Sequence, residues 1–447
     1  MYADDRRPRV PPGLAHVVQD GRHLLVHPIR PLWLAVNDLG SAVACLCDGQ
    51  HTVAEIAGQL ARRFRVEPAR AYQDVLAYLA DLDRAGFLED APDAPDGPAP
   101  AFTPTLRGLR LHLNITARCN LHCRHCGVLA DGHAVDRLSP ARLLALVDEL
   151  AAGGGEAVAL SGGEPLLRDD WRGLVRQAAA RLKTLVSTNA TLIDDAAAAE
   201  LVESGAVVQV SLDGATPATH DAVRGAGAFH AAWRGIEHLQ RRGIGERLAL
   251  AVTVLGTNWR EIPAIVDLAE AQGIAGVRFF PVQRLGRAIA HWPDLAVTPA
   301  QYAQVYDYLY RQLPARRLRV RVDGGCPGLV LSLADGEWWC RLGRTLTVEA
   351  DGRIAACSLL TDDAFGLGDA RRDSLAAALA SPVLRDLIAT AAGRMDAIPA
   401  CRVCAWRAFC QGGCPGSVWL AAGTWYATDG LCEVRQRLYP DVIFDRT

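Results

Sequence analysis

Leu109, Leu111, Leu113 and Ile115 alternate with Arg110, His112 and Asn114, the period-two pattern of a strand with one buried face. Similar apolar runs recur at 157–161, 184–188, 207–212, 248–255 and 277–282, and stretches of helical periodicity separate them. Ser139-Pro140 opens the first of those helices, with proline where a first turn tolerates it. Six βα units in succession predict parallel strands joined by crossover helices, an α/β barrel or partial barrel with its chemistry at the C-terminal strand ends. The pattern breaks down near residue 314.

Upstream, "HLLVH" (23–27) and "PLWLAV" (31–36) predict short strands, and three helical patterns follow. Thr52 and Glu55 form a T-x-x-E capping box, Pro68 suits a first helical turn, and Gly86 ends the last helix. The result is a small α+β domain, a sheet backed by three helices. Val75, Leu76, Leu79 and Leu82 fall at helical spacing and read as its core, and Cys45 and Cys47 as small buried apolar side chains. Residues 91–105 contain five prolines, which favour a semi-rigid spacer. These signals divide the chain into 1–90, a linker at 91–105, 106–313 and 314–447.

Charge narrows the partners. The net charge is −3 and Lys183 is the only lysine, so no general polyanion surface is expected. The three-helix pattern of the front domain also suits a winged-helix DNA reader, yet residues 1–90 hold ten arginines against twelve acidic residues, the wrong sign for neutralising phosphates. No apolar run of membrane-spanning length and no signal-peptide pattern occurs, so a cytoplasmic protein without a membrane partner is expected. Thirteen cysteines at short spacings then read as reduced metal ligands rather than a disulfide framework.

The octet "CNLHCRHC" (119–126) places Cys119, Cys123 and Cys126 at C-x3-C-x2-C spacing just past the first barrel strand. Thiolates favour iron–sulfur clusters or zinc. A 4Fe–4S cube held by three cysteines leaves one iron open to an outside ligand, whereas a zinc site would recruit a neighbouring histidine as fourth ligand. A second motif, "SGGEP" (161–165), directly follows the second strand; its glycines suit close backbone approach to a ligand, and Glu164 suits a cationic amine. "STN" (187–189) and "SLDG" (211–214) end the third and fourth strands. His122 reads as a solvated loop residue.

Together these motifs resemble the radical S-adenosylmethionine (SAM) superfamily, with C-x3-C-x2-C and GGEP in matching places. The resemblance implies a partial (β/α)6 radical SAM barrel in which Cys119, Cys123 and Cys126 hold a 4Fe–4S cluster and SAM chelates its open iron. One electron then cleaves SAM to a 5'-deoxyadenosyl radical. By the same resemblance Gly162, Gly163, Glu164 and Pro165 form the SAM-facing turn, and Asn189, Ser211 and Arg224 contact the sugar or carboxylate. His125 stands where the family has an aromatic residue beside the adenine.

The remainder carries eight cysteines: Cys326, Cys340, Cys357, the run "CRVCAWRAFCQGGC" with Cys401, Cys404, Cys410 and Cys414, and Cys432. A zinc ribbon could use the C-x2-C pair of that run. The whole pattern resembles the SPASM extension of radical SAM enzymes, which implies two auxiliary 4Fe–4S clusters, three in all. The family's interleaving assigns Cys326, Cys340, Cys357 and Cys414 to one and Cys401, Cys404, Cys410 and Cys432 to the other. If Cys326 is instead a buried thiol, the first keeps an open iron. Sulfatase-maturing relatives carry an aspartate just after the Cys357 equivalent where this chain has Ser358, which weighs against sulfatase maturation. Asp323 is a candidate base.

The front domain resembles the PqqD-like recognition element of ribosomally made peptides, on "LAVNDLGSAVACLCDGQHTVAEIAGQL" (34–60) and "DVLAYLADLDRAGFL" (74–88). Its winged-helix-like α+β fold implies that a precursor's leader adds as a strand beside residues 32–36. The implied enzyme forms a carbon–carbon or thioether cross-link in a precursor peptide and takes electrons from a donor such as flavodoxin or ferredoxin. Maturation of a folded protein or a tetrapyrrole side chain is the alternative enzyme, and a zinc-dependent binding or regulatory protein the alternative of another class.

Overall fold

A computed structural model describes residues 5–89, 103–312, 319–322 and 342–444. Cys326, Cys340, Asp323 and most of the linker lie outside the described residues. The chain divides into two compact units: Met1–Phe102 with Met395–Gly412 and Arg435–Thr447, and Thr103–Arg394 with Gly413–Val434.

In the first unit, β1 (Ala15–Gln19), β2 (Arg22–Val26) and β3 (Trp33–Val36) form an antiparallel sheet in chain order. α1 (Asp38–Leu46), α2 (Val53–Phe64) and α3 (Pro68–Arg84) follow. The expected punctuation is present: Thr52 and Glu55 close a reciprocal capping box, Pro68 begins α3, and Gly86 adopts φ +76° just beyond its end. Leu25, Val43, Ile56, Leu60, Val75 and Leu79 pack into one core, with Leu76 partly buried at its edge. Cys47 joins this core, but Cys45 is exposed, because α1 turns that position to solvent. β1 had no sequence signal: every residue of "AHVVQ" is at least partly exposed, so no apolar row marks it. Residues near the C-terminus complete the unit, Gln19 bonding to the Asp441 carboxylate and Arg22 to the Phe444 carbonyl at 2.8 Å.

The second unit is built on a sheet of ten strands among the described residues. β4 (Arg110–Thr116), β5 (Ala157–Gly162), β6 (Lys183–Thr188), β7 (Val207–Ser211), β8 (Leu248–Val254) and β9 (Gly276–Pro281) are parallel neighbours in chain order, and coincide with the six expected strands. Helices link them, from α4 (Pro140–Ala152), capped by Ser139, through α5 (Trp171–Ala179) and α6 (Asp195–Glu203) to α7 (Pro217–Arg224), α8 (Ala228–Arg241) and α9 (Ile262–Ala271). Beyond residue 314 the sheet continues: β10 (Arg319–Val322) extends it past β9, while β11 (Thr345–Val348) lies parallel to β4, followed by antiparallel β12 (Arg353–Ala355) and β13 (Gly366–Asp369).

One face of β4–β9 buries Leu111, Leu113, Val158, Val186, Val208, Leu250 and Val277. The other face carries His112, Ala159, Ser187, Gln209, Thr253 and Arg278 and lines a chamber of about 660 Å³. Among the described residues, no helix is long and apolar enough to cross a membrane.

Candidate active site

β4 runs directly into the three-cysteine loop, and the loop is pinned at both ends. Cys119 N–H donates to Asp131 O at 2.9 Å, and Asp131 N–H returns a bond to Ala117 O at 3.1 Å. Arg287 holds the far side: its Nε donates to Cys123 O, its Nη1 to Ala130 O, both at 2.8 Å, and its backbone N–H to Cys126 O at 3.0 Å. No sequence motif signals Arg287, since it lies in the irregular segment after β9.

The Gly-Gly turn explains how the loop begins where it does. Gly163 N–H donates to Thr116 O and Glu164 N–H to Arg118 O, each at 2.8 Å. A Cβ on Gly162 would stand 2.2 Å from Thr116 O, and one on Gly163 2.1 Å from Arg118 O. The glycines therefore admit the backbone entering the cysteine loop, where the sequence suggested that they admit a ligand. Glu164 is fully buried; it accepts bonds from Thr188 Oγ1 and Asn189 N–H, both at 2.7 Å, and from Leu166 N–H at 3.2 Å. Burial raises its pKa, and those three donors oppose the rise. Pro165 opens the short 3-10 turn that follows.

Asn189 lies beside the first cysteine. Its Oδ1 accepts from Thr191 N–H and Oγ1, which turns Nδ2 toward Asn120 Oδ1 at 2.9 Å and Cys119 Sγ at 4.0 Å. Cys119 Sγ also faces Leu121 N–H at 3.4 Å, and Arg224 Nη1 approaches Cys123 Sγ at 4.0 Å. Arg224 is itself held through Nε by Asp213 Oδ2 at 2.6 Å; the same carboxylate stands 3.3 Å from His125 Nε2. Asp213 is fully buried, and Arg224 and His125 outweigh that burial to keep its carboxyl below the ordinary range. It belongs to the "SLDG" motif, but its link to His125 and Arg224 crosses from β7 to the cysteine loop and has no local signal. Ser211, at the end of β7, lines the chamber with Arg224.

Among the described residues no three His, Cys, Asp or Glu side chains are gathered as a ready-made metal site, but the chemistry of the loop suits an iron–sulfur cluster with an outside ligand. Burial pushes the Cys119 thiol up to about 11, so ligation must displace its proton, and N–H groups aimed at sulfur stabilise the resulting thiolates. His125 Nδ1 is buried with no hydrogen-bond partner among the described residues, which leaves a polar atom for a ligand to satisfy.

Of the other cysteines, Cys326 and Cys340 lie outside the described residues, and the rest divide between the two units. Cys357 and Cys414 line the chamber with Ser358, and Cys414 N–H is fixed by Asp429 Oδ2 at 2.9 Å. Cys401, Cys404 and Cys410 lie in the first unit, where Arg435 Nη1 reaches Cys410 Sγ at 3.5 Å and Gln436 Nε2 faces Cys404 Sγ at 4.0 Å. Cys432 opens the helix that carries Arg435 and Gln436. His122 is exposed.

Sheet order, cysteine loop and glycine turn together define an enzyme of the SAM-cleaving iron–sulfur class. Comparison with known families agrees: the radical SAM superfamily matches residues 113–269, the coenzyme PQQ synthesis protein D family residues 22–88, and the iron–sulfur cluster-binding SPASM domain residues 340–405. The mycofactocin maturase MftC of Mycobacterium ulcerans is 31% identical over 309 residues, 67% of this chain and 81% of that protein. The chain belongs to the radical SAM superfamily.

Fe-coproporphyrin III synthase of Methanosarcina barkeri is 42% identical over 178 residues; the match spans 39% of this chain and less than half, 44%, of that protein. Among solved structures, Streptococcus suis SuiB bound to precursor peptide SuiA has a TM-score of 0.61 at 14% identity, covering 96% of this chain and all of that one. Native anSMEcpe with bound AdoMet and Cp18Cys peptide has a TM-score of 0.62 at 19% identity, covering 75% of this chain and 98% of that one. At such identities the likeness is one of fold.

Proposed function

We propose that the chain is a maturase of a ribosomally made precursor peptide. One arrangement carries the reading: Arg224, whose Nη1 stands 4.0 Å from Cys123 Sγ of the cysteine loop, lines a chamber whose wall also presents Cys357 and Cys414. Cys119, Cys123 and Cys126 hold the 4Fe–4S cluster, and SAM bound there supplies, on one-electron reduction, the 5'-deoxyadenosyl radical that takes hydrogen from the peptide. Asn189, Ser211 and Arg224 hold the sugar and carboxylate of SAM, His125 lies against its adenine, and Gly162, Gly163, Glu164 and Pro165 fix the turn facing its ammonium group. Cys326, Cys340, Cys357 and Cys414 would hold one auxiliary 4Fe–4S cluster and Cys401, Cys404, Cys410 and Cys432 a second, which would supply acceptors for the electron released as a carbon–carbon or thioether bond closes. A flavodoxin- or ferredoxin-like donor reduces the first cluster, in a cytoplasm that keeps the thiols reduced.

The leader binds beside β3. That strand ends the three-stranded sheet among the described residues, and Tyr78 of α3 donates to Asn37 Oδ1 at 2.6 Å just past it, tying helix to strand. A second reading, a tetrapyrrole side chain as substrate, is favoured by the 42% identity to Fe-coproporphyrin III synthase. The PqqD-like segment weighs for the peptide.

The test is anaerobic incubation of reconstituted enzyme with SAM, dithionite and either a short candidate peptide from any reading frame found beside the gene or an iron coproporphyrin. We expect 5'-deoxyadenosine together with a peptide lighter by two hydrogen atoms. Turnover of the porphyrin alone selects the second reading, and no 5'-deoxyadenosine with either substrate overturns both.

A further inference from the structure

His112 stands midway along β4 on the chamber side. It is level with Thr347 on β11 and Ala159 on β5, and Ala159 is level with Leu185 on β6; the alanine is the smallest side chain of that row. Counting about 3.3 Å per residue, the ring lies roughly 13 Å along β4 from Thr116, deeper in the chamber than the ends that face SAM. Cys357 and Ser358 share the chamber wall with it.

The ring is held in one tautomer. Nε2 meets Asn114 Oδ1 at 3.1 Å, and the Asn114 amide is oriented in turn by donating from Nδ2 to Glu349 Oε2 at 2.9 Å. With the amide oxygen turned to the imidazole, Nε2 carries the proton and Nδ1 keeps its lone pair. Nδ1 has no hydrogen-bond partner among the described residues. A histidine serving only as core would spend both nitrogens on protein partners; this one spends a single nitrogen.

We propose that His112 Nδ1 is the proton acceptor for the oxidative step on the substrate, a proposal that rests on the maturase reading above. Once a hydrogen atom has passed to the nucleotide radical, the substrate closes its new bond on a neighbouring X–H group, X being carbon or sulfur. That X–H bond breaks, its proton goes to Nδ1, and one electron goes to an oxidised auxiliary iron–sulfur cluster. The substrate has then lost two hydrogen atoms and His112 leaves the step as imidazolium. Asn114 and Glu349 are positioning residues. Arg110 on β4, Glu156 beside it and Arg278 on β9 face the same space, and Glu349 stands behind Asn114. Burial, with Arg278 adding to it, holds the imidazole below its ordinary pKa against the opposing Asn114 bond, so it is neutral and able to accept at neutral pH.

His112→Gln and His112→Ala in the anaerobically reconstituted enzyme test this, with SAM, dithionite and the candidate peptide used above. Expected are wild-type iron content and cluster EPR signal and 5'-deoxyadenosine within about threefold of wild type, but oxidised peptide reduced at least ~100-fold, with imidazole partly restoring H112A. Unchanged product, or product and 5'-deoxyadenosine falling together, overturns the assignment. If the wild type makes no 5'-deoxyadenosine the maturase reading fails, and if it makes 5'-deoxyadenosine without altering the peptide that substrate fails. In those cases, or if the variants do not fold, diethyl pyrocarbonate mapping of the wild type decides: carbethoxylation of His112 at pH 7 keeps the open lone pair, and a His112 left unmodified while exposed histidines react overturns it.

Discussion

Glu164 Oε2 accepts the backbone N–H of Asn189 at 2.7 Å, which joins the end of β5 to the end of β6 beneath the cysteine loop. Thr188 Oγ1 binds the other oxygen at 2.7 Å, so a fully buried carboxylate braces two strand ends at once. Asn189 in turn faces Cys119 Sγ. The glycine turn thus bears on the first cysteine by two routes, through Arg118 O and through Asn189.

Glu164→Gln keeps the shape and removes an acceptor, turning an amide N–H against one of the present donors. Hydrogen bonds to a charged group are worth ~1.5–3 kcal/mol, so a loss of that order in unfolding free energy is expected, with weaker SAM binding. Urea denaturation and calorimetric titration with SAM measure the two effects. A variant with wild-type values in both would remove Glu164 from the brace.

Gly163→Ala sets a Cβ 2.1 Å from Arg118 O, and a backbone carbonyl cannot turn aside as a flexible side chain can. The cysteine loop must shift, and the iron bound at Cys119, Cys123 and Cys126 should fall while the auxiliary iron stays. Gly173, inside α5 with nothing within 4 Å of the place an added Cβ would take, is the control: alanine there should stabilise by up to ~1 kcal/mol. Iron analysis and thermal melts separate the two variants.

Much of this was legible in local pattern. β4 to β9 announce themselves because a strand with one buried face must alternate, and the three-cysteine loop because three thiols fall within eight residues. What escaped is non-local. Asp213 gains its meaning from His125, which arrives on another loop, and Arg287 from carbonyls that any sequence would supply. β10 ("RVRV") and β11 ("TLTV") alternate in sequence as strands do, but their arginines and threonines break up any apolar run. The glycines of GGEP were legible as close approach, though not as approach to the chain's own backbone.

Arg287→Lys tests the clamp. A lysine offers one point of charge where the guanidinium spans Cys123 O and Ala130 O in a fixed fork. The reconstituted variant should lose about four irons, one cube, and with them the EPR signal that responds to SAM. Full iron with an unaltered signal would show that the loop holds without it.

His27 makes the first unit sensitive to acid. Its Nδ1 accepts the backbone N–H groups of Ile29 at 3.2 Å and Arg30 at 3.0 Å, bonds that only an unprotonated nitrogen can accept, and they shape the turn between β2 and β3. Burial, then Arg30, lowers its pKa to about 4 from 6.5. The unfolded chain therefore binds the proton more readily, and stability present above pH 6.5 is lost as the pH falls from 6.5 toward 4, by up to about 3 kcal/mol. His27→Asn, whose side-chain oxygen can accept the same N–H groups, should be less stable in absolute terms but lack this part of the slope. Hydrogen exchange of residues 22–36 in the full chain, corrected for intrinsic rates at each pH, reads the difference. Parallel curves for the two proteins between pH 6.5 and 4 would mean that protonation of His27 is not what loosens the turn.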